Sequence, residues 1–201
     1  MLNIITVLKT GGFKQDWLKV DYKPEYVIRL KKQIEDNITI PFRFICLSDV
    51  EIKGIETIPL KDDLKGWWSK LEMFREFNDF LYFDLDTTII GNIDELANYQ
   101  GFTAYQDFIK GNLSSAFLRV VGDYSFIYDD FIKNKNEIMK AYTARKDWGD
   151  QKLIEDILKD HKKEFNFFDN KHFISYNFEI TKGKKPTNES IIVYCGNSKP
   201  F

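Results

Sequence analysis

With 201 residues, the chain has the length for one domain with a substantial core. Apolar residues make up 43% of it, which argues against disorder. Charged residues reach 30% but cancel to a net charge of −2, so no global basic field points to nucleic acid as a partner. No apolar run approaches the roughly 18 residues of a membrane span. The opening MLNIITVLKTGG has neither a basic start nor a cleavage site, so it reads as a buried strand and a turn. A soluble cytoplasmic protein is expected, with peripheral membrane contact left open. Cys46 and Cys195 sit in separate apolar runs and read as buried thiols.

Residues 2–8 form a first strand, ended by Gly11-Gly12. A helix is predicted from Pro24 to about Glu35, with Val27, Leu30 and Ile34 on one face. Residues 42–47 and 55–59 read as the second and third strands. A helix over Trp67–Phe77 would turn Trp67, Leu71 and Phe74 inward, and residues 80–83 make a short strand that ends at Asp84. Farther on, 101–105 and 115–121 read as strands and 123–133 as a helix. Another helix starts near Gly149-Asp150, and strands follow near 173–178 and 190–195. The alternation predicts an α/β fold with a mostly parallel sheet and helices on both faces.

LYFDLDTTIIGNIDEL, residues 81–96, is the most informative stretch. An apolar strand delivers Asp84 and Asp86 at its C-terminal end, the edge where open α/β sheets bind ligands. Residues i and i+2 of an extended chain point the same way, so the carboxylates can converge. Two such charges repel unless a cation lies between them. Hard oxygen ligands suit Mg²⁺ or Mn²⁺, which bridge readily to substrate phosphates. A bare D-x-D is a weak signal, equally compatible with a simple turn.

This stretch resembles the D-x-D segment of GT-A glycosyltransferases, closest to family eight and its bacterial and phage relatives. Further segments match in the same order. GWWSKLEMF (66–74) resembles the segment before the D-x-D strand, with Lys70 facing the donor. WGDQKLI (148–154) resembles the G-D-Q segment, whose Asp150 and Gln151 would contact the transferred sugar. CGNSKPF (195–201) resembles G-x-x-K-P, with Gly196 and Lys199 at the diphosphate. TVLKTGG (6–12) resembles the strand and loop that receive the nucleoside, which assigns Thr6, Lys9, Gly11 and Gly12 to it. The resemblance implies a Rossmann-like nucleotide-diphospho-sugar transferase fold over 1–201, with a nucleotide-binding half (1–100) and a sugar and acceptor half (101–201). It implies a metal-dependent, retaining transfer from a uridine-diphosphate sugar to a glycan or other hydroxyl acceptor. It also implies a histidine metal ligand near the last strand. Here Val193 and Cys195 stand at those positions, and a soft thiolate matches Mn²⁺ or Mg²⁺ poorly.

Each match has a plainer reading. Lys70 can be a solvated helix charge and Lys199 a disordered residue near a chain end, Asp150 suits a helix N-cap, and the Trp67-Trp68 pair suits a core. His161 reads as solvated, and His172 has no partner that sequence identifies. Two other functions fit some residues. FDLDTT (83–88) also resembles the first motif of haloacid-dehalogenase phosphohydrolases, with Asp84 as nucleophile, Asp86 as acid/base, and Asp129 and Asp130 imitating a late acidic motif. The missing histidine is also compatible with a module that binds a sugar nucleotide without turning it over.

Overall fold

The computed structural model describes residues 1–145 and 148–200. In chain order the elements are β1 (Leu2–Leu8), β2 (Phe13–Gln15), β3 (Leu18–Val20), α1 (Pro24–Asn37), β4 (Phe42–Ser48) and β5 (Glu56–Pro59). A 3₁₀ helix over Gly66–Glu72 runs into α2 (Met73–Glu76), followed by β6 (Asp79–Phe83) and β7 (Thr88–Ile89). Then come β8 (Phe102–Gln106), β9 (Leu113–Val121), α3 (Phe126–Lys133), α4 (Lys135–Ala141), α5 (Asp150–Asp160), β10 (Asn166–Phe167), β11 (Phe173–Ser175) and β12 (Ile191–Val193).

Seven strands form the central sheet, in the order β10-β8-β9-β6-β1-β4-β5. β5, β4, β1 and β6 run parallel, and β9 runs antiparallel to both of its neighbours. Strand β1 alternates its side chains between the two faces, as a pleated strand must. Ile4 and Leu8 enter one core, and Ile5 and Val7 enter the other. α1 covers the first face with Val27, Leu30 and Ile34, all fully buried. Pro24 opens that helix at the position where a missing N–H does no harm. The 3₁₀ helix, α2, α3 and α5 cover the second face.

The helix expected over Trp67–Phe77 is 3₁₀ up to Glu72, as part of a seven-residue 3₁₀ helix that starts at Gly66. The Ser69 hydroxyl donates to the Gly66 carbonyl three residues back, at 2.7 Å, which suits the tighter turn. With three residues per turn, Trp68, Leu71 and Phe74 stack on one line and are buried. Trp67 and Lys70 fall on the next line and face a cleft. The inward tryptophan is therefore Trp68, where the pattern pointed to Trp67. The β2–β3 hairpin, the two-residue β7, α4 and β10 are too short for periodicity to reveal. The strand expected over 173–178 stops at Ser175.

A second sheet, β11-β12-β7, brings a late strand beside the segment that follows Asp86. β12 pairs antiparallel with β7, setting Ile192 opposite Thr88. Residues 195–199 are thereby delivered beside the Asp84–Asp86 turn. No helix among the described residues is long and apolar enough to cross a membrane.

Candidate active site

Within the parallel strands the order reverses at β1, whose chain continues to β4 on one side while β6 lies on the other. Open α/β sheets bind ligands in the crevice beyond the strand ends at such a point. A cavity of about 190 Å³ opens there, lined by Lys9, Lys70, Asp84, Asp86, Asp150, Gln151, Cys195, Gly196 and Lys199 among others.

Its inner part is a buried polar network. Lys70, 6% exposed, donates to Asp84 Oδ1 at 2.8 Å and lies 3.4 Å from Asp150 Oδ2. Ser115 Oγ donates to Asp150 Oδ2 at 2.6 Å, and Lys70 Nζ is 3.3 Å from the same hydroxyl. The Tyr82 hydroxyl donates to Asp84 Oδ1 at 2.5 Å. Burial opposes charge on Lys70, but Asp150 and Asp84 outweigh it and hold the ammonium above its usual pKa. Burial raises the Asp150 carboxyl, against the pull of Lys70 and the Ser115 hydrogen bond. Asp150 is the first residue of α5, and the N-cap is Gly149, with no side-chain cap bond. The carboxylate thus points into the cleft and does not cap its helix. Gly149 sits at φ +64, and a Cβ there would lie 2.5 Å from Trp67 Nε1, so glycine lets the helix start close to Trp67.

The outer part belongs to residues 195–199. Lys199 Nζ lies 2.6 Å from Asp86 Oδ2 and 2.9 Å from the Tyr22 hydroxyl. Gly196, at φ +64, is passed so closely by Trp17 that a Cβ would meet its ring at 3.0 Å. Asn197 accepts from Lys19 N at 3.1 Å and donates to the Trp17 carbonyl at 3.1 Å, which ties this segment to the β2–β3 hairpin. Phe201, the last residue of CGNSKPF, lies outside the described residues. Burial, Asp107 and Asp86 push the Cys195 thiol up to about 11, so it stays protonated at neutral pH.

Other assigned residues lie elsewhere. Thr6 is fully buried, and its hydroxyl donates to the Phe83 carbonyl at 2.9 Å, bonding β1 to β6 rather than facing the cleft. Gly11 and Gly12 lead into the hairpin, which itself supplies Leu18 and Val20 to the cleft, with Tyr22 following from the next loop. Lys9 lines the cleft but is paired with Asp49 and Asp63, each at 3.2 Å. Asp129 and Asp130 lie on α3 away from the cavity, and Asp130 binds Lys133 and His161. His172 is buried and its ordinary pKa is lowered by that burial. Sequence reasoning missed Tyr22, which comes from the loop before α1, and Tyr82 and Ser115, which reach the site on the neighbouring strands β6 and β9.

Among the described residues, no group of three His, Cys, Asp or Glu side chains converges as a ready metal site. Asp84 Oδ2 nevertheless accepts no hydrogen bond there, and Lys199 meets Asp86 through Oδ2. Among the described residues the ion pairs of Asp84, Asp86 and Asp150 are to Lys70 and Lys199, three carboxylates to two ammonium groups, with the Arg29 guanidinium near enough to feel the Asp86 charge. Hard carboxylate oxygens grouped in this way fit a divalent cation whose other ligands come from a phosphate and water.

No family model matches the chain, and no curated protein is similar to it in sequence. Solved structures are similar in fold. The glycosyltransferase GlyE of Streptococcus pneumoniae TIGR4 superposes with a TM-score of 0.67 at 13% identity, over 100% of this chain and 57% of GlyE. The galactosyltransferase LgtC, solved with donor and acceptor sugar analogues, gives 0.64 at 15%, over 99% of this chain and 89% of LgtC. The bifunctional glycosyltransferase WbbM gives 0.63 at 9%, over 99% of this chain and 46% of WbbM. The chain thus spans little more than half of GlyE and under half of WbbM, and it has the fold of these glycosyltransferases.

Proposed function

We propose that the chain transfers a sugar from a nucleotide-diphosphate donor, preferentially a uridine-diphosphate sugar, to an acceptor hydroxyl with retention of configuration. The observation that carries this is the convergence of the carboxylates Asp84, Asp86 and Asp150 with the ammonium groups Lys70 and Lys199 at the switch-point crevice. Asp84 Oδ2 and Asp86 Oδ1 would hold Mn²⁺ or Mg²⁺. When bound, that ion neutralises charge on the leaving diphosphate.

The chain's own residues do the rest. Lys199 is held now by Asp86 and Tyr22, and an arriving diphosphate competes for the same ammonium. Lys70 is preset in the protonated state by its two carboxylates, so it offers fixed positive charge without reorganising. Asp150 and Gln151, side by side at the start of α5, orient the sugar. The hairpin residues Leu18 and Val20 flank the nucleoside.

The phosphohydrolase reading is weaker. Its nucleophile, Asp84 Oδ1, is already bound by Lys70 and Tyr82, and its late acidic motif lies outside the cleft. A thermal-shift screen of nucleotide sugars with and without Mn²⁺ tests the proposal. At a hundredfold excess over Kd, binding adds about 2.7 kcal/mol of stability. Uridine diphosphate with Mn²⁺ should stabilise more than either alone, and released nucleotide should follow turnover. Hydrolysis of p-nitrophenyl phosphate instead would sink it. Binding without transfer or donor hydrolysis would identify a non-catalytic module.

A further inference from the structure

A second set of polar contacts grips the Asp84–Asp86 turn from behind. Arg29 lies on α1, outside the cleft lining. Its Nη2 donates to the Leu85 carbonyl at 2.9 Å and to the Thr87 carbonyl at 2.9 Å. Its Nη1 lies 3.2 Å from Thr88 Oγ1. One turn farther along the helix, Gln33 Oε1 accepts from Ile89 N at 3.1 Å. One turn beyond that, the Asn37 carbonyl accepts from Ile93 N at 3.0 Å. Positions 29, 33 and 37 follow one another at i, i+4 and i+8, so they form a single polar line down the helix. That line holds the segment from Leu85 to Ile93 in register.

The geometry explains why the grip matters. The Leu85 carbonyl belongs to the peptide unit entering Asp86, and the Thr87 carbonyl to the unit leaving Thr87. Fixing both planes leaves Asp86 and Thr87 little freedom to rotate. The turn is closed from within by Thr87 N donating to the Asp84 carbonyl at 3.1 Å. Only a flat, multi-donor guanidinium meets two carbonyls and a hydroxyl at once, and a lysine ammonium presents its donors in another geometry.

We propose that Arg29, backed by Gln33, is a positioning residue that aims the Asp86 carboxylate at the divalent cation of the donor complex, without touching donor or metal itself. This rests on the proposed function. Loss of such an outer partner weakens metal binding by about ten- to a hundredfold in other sites.

The test is the affinity for Mn²⁺ in the presence of uridine diphosphate, read from the spin-resonance signal of the free ion. Nucleotide affinity without metal is measured alongside. Arg29→Lys, folded by circular dichroism, should weaken Mn²⁺ by about tenfold or more, while metal-free nucleotide affinity changes by less than about twofold. A purely structural role would lower the melting temperature and leave the Mn²⁺ affinity of the folded protein unchanged, and that result overturns the proposal. Should Arg29→Lys fail to fold, Gln33→Ala keeps the guanidinium and removes only the Ile89 contact. It should weaken Mn²⁺ in the same sense by a few fold, and no change counts against the proposal. A wild-type chain that binds neither Mn²⁺ nor nucleotide would overturn the proposed function, and this inference with it.

Discussion

The cleft has two halves that meet at adjacent aspartates yet are built differently. Asp84 belongs to an inner half of buried groups, Lys70, Tyr82, Ser115 and Asp150, carried by strands and helices of the main layers. Asp86 belongs to an outer half, where Lys199 comes from an irregular segment anchored by the small sheet and by Asn197. The inner half is already bonded within itself, with the one Lys70 ammonium shared by two carboxylates at the cost of desolvation. The outer half is held by contacts that a ligand can exchange. Two carboxylates two residues apart can therefore differ in kind: one is chiefly part of the scaffold, and the other is available.

Breaking the inner half should have the largest effect. Lys70→Met leaves the buried Asp150 carboxylate facing the half-buried Asp84 without a cation, and loss of one partner of a buried ion pair costs about 3–5 kcal/mol. Urea unfolding at neutral pH measures it. The deficit should shrink as pH falls. The folded Asp150 pKa already lies above its ordinary value, so the native state holds its proton longer than the unfolded chain does, and stability declines as pH rises.

The outer half should respond in binding rather than stability. Asp86→Ala should lower Mn²⁺-dependent nucleotide affinity by more than the roughly hundredfold typical of an outer partner. Stability should fall by about 1 kcal/mol at most, because Lys199 can swing into water. Titration calorimetry with and without Mn²⁺ separates the two, and an unchanged Mn²⁺-dependent affinity would erase the distinction between the halves.

Ser115→Ala sharpens the comparison at smaller scale. It removes one hydrogen bond to a buried carboxylate, which should cost about 1.5–3 kcal/mol of stability while the Mn²⁺ affinity holds. Cys195→Ser should do least. Its thiol is pushed up to about 11 by burial, so it is protonated at neutral pH, and Mn²⁺ affinity should stay nearly constant. A selective loss of Cd²⁺ binding would instead mark the sulfur as a ligand.

Much of the inner half was legible because regular elements carry it. The apolar run before Asp84, the i, i+2 spacing of the aspartates and the helix opening at Asp150 all follow from local pattern. Ser115 was not legible, since it meets Asp150 only where β9 and α5 pack together, and Tyr82 was not, since its bond to Asp84 two residues on leaves no mark in the apolar pattern of the strand. Lys199 was placed by its resemblance to a motif, but its route to Asp86 depends on the two-residue β7, too short for any periodicity. Thr6, Gly11 and Gly12 were assigned by position in the chain. The hairpin that follows them takes over the cleft wall, and three-residue strands give no signal strong enough to foresee it.

Asp86 is made 113 residues before Lys199. At the usual pace of synthesis, roughly 5–20 residues per second, that is a delay of about 6–23 seconds. During that interval β1, α1, β4, β5 and β6 can emerge and pair, and β9 then joins β6. The carboxylate of Asp86 waits without its ammonium until Lys199 is made. The carboxylate turn is thus built early and its lysine partner late, so their contact closes only after the strands between them have been made.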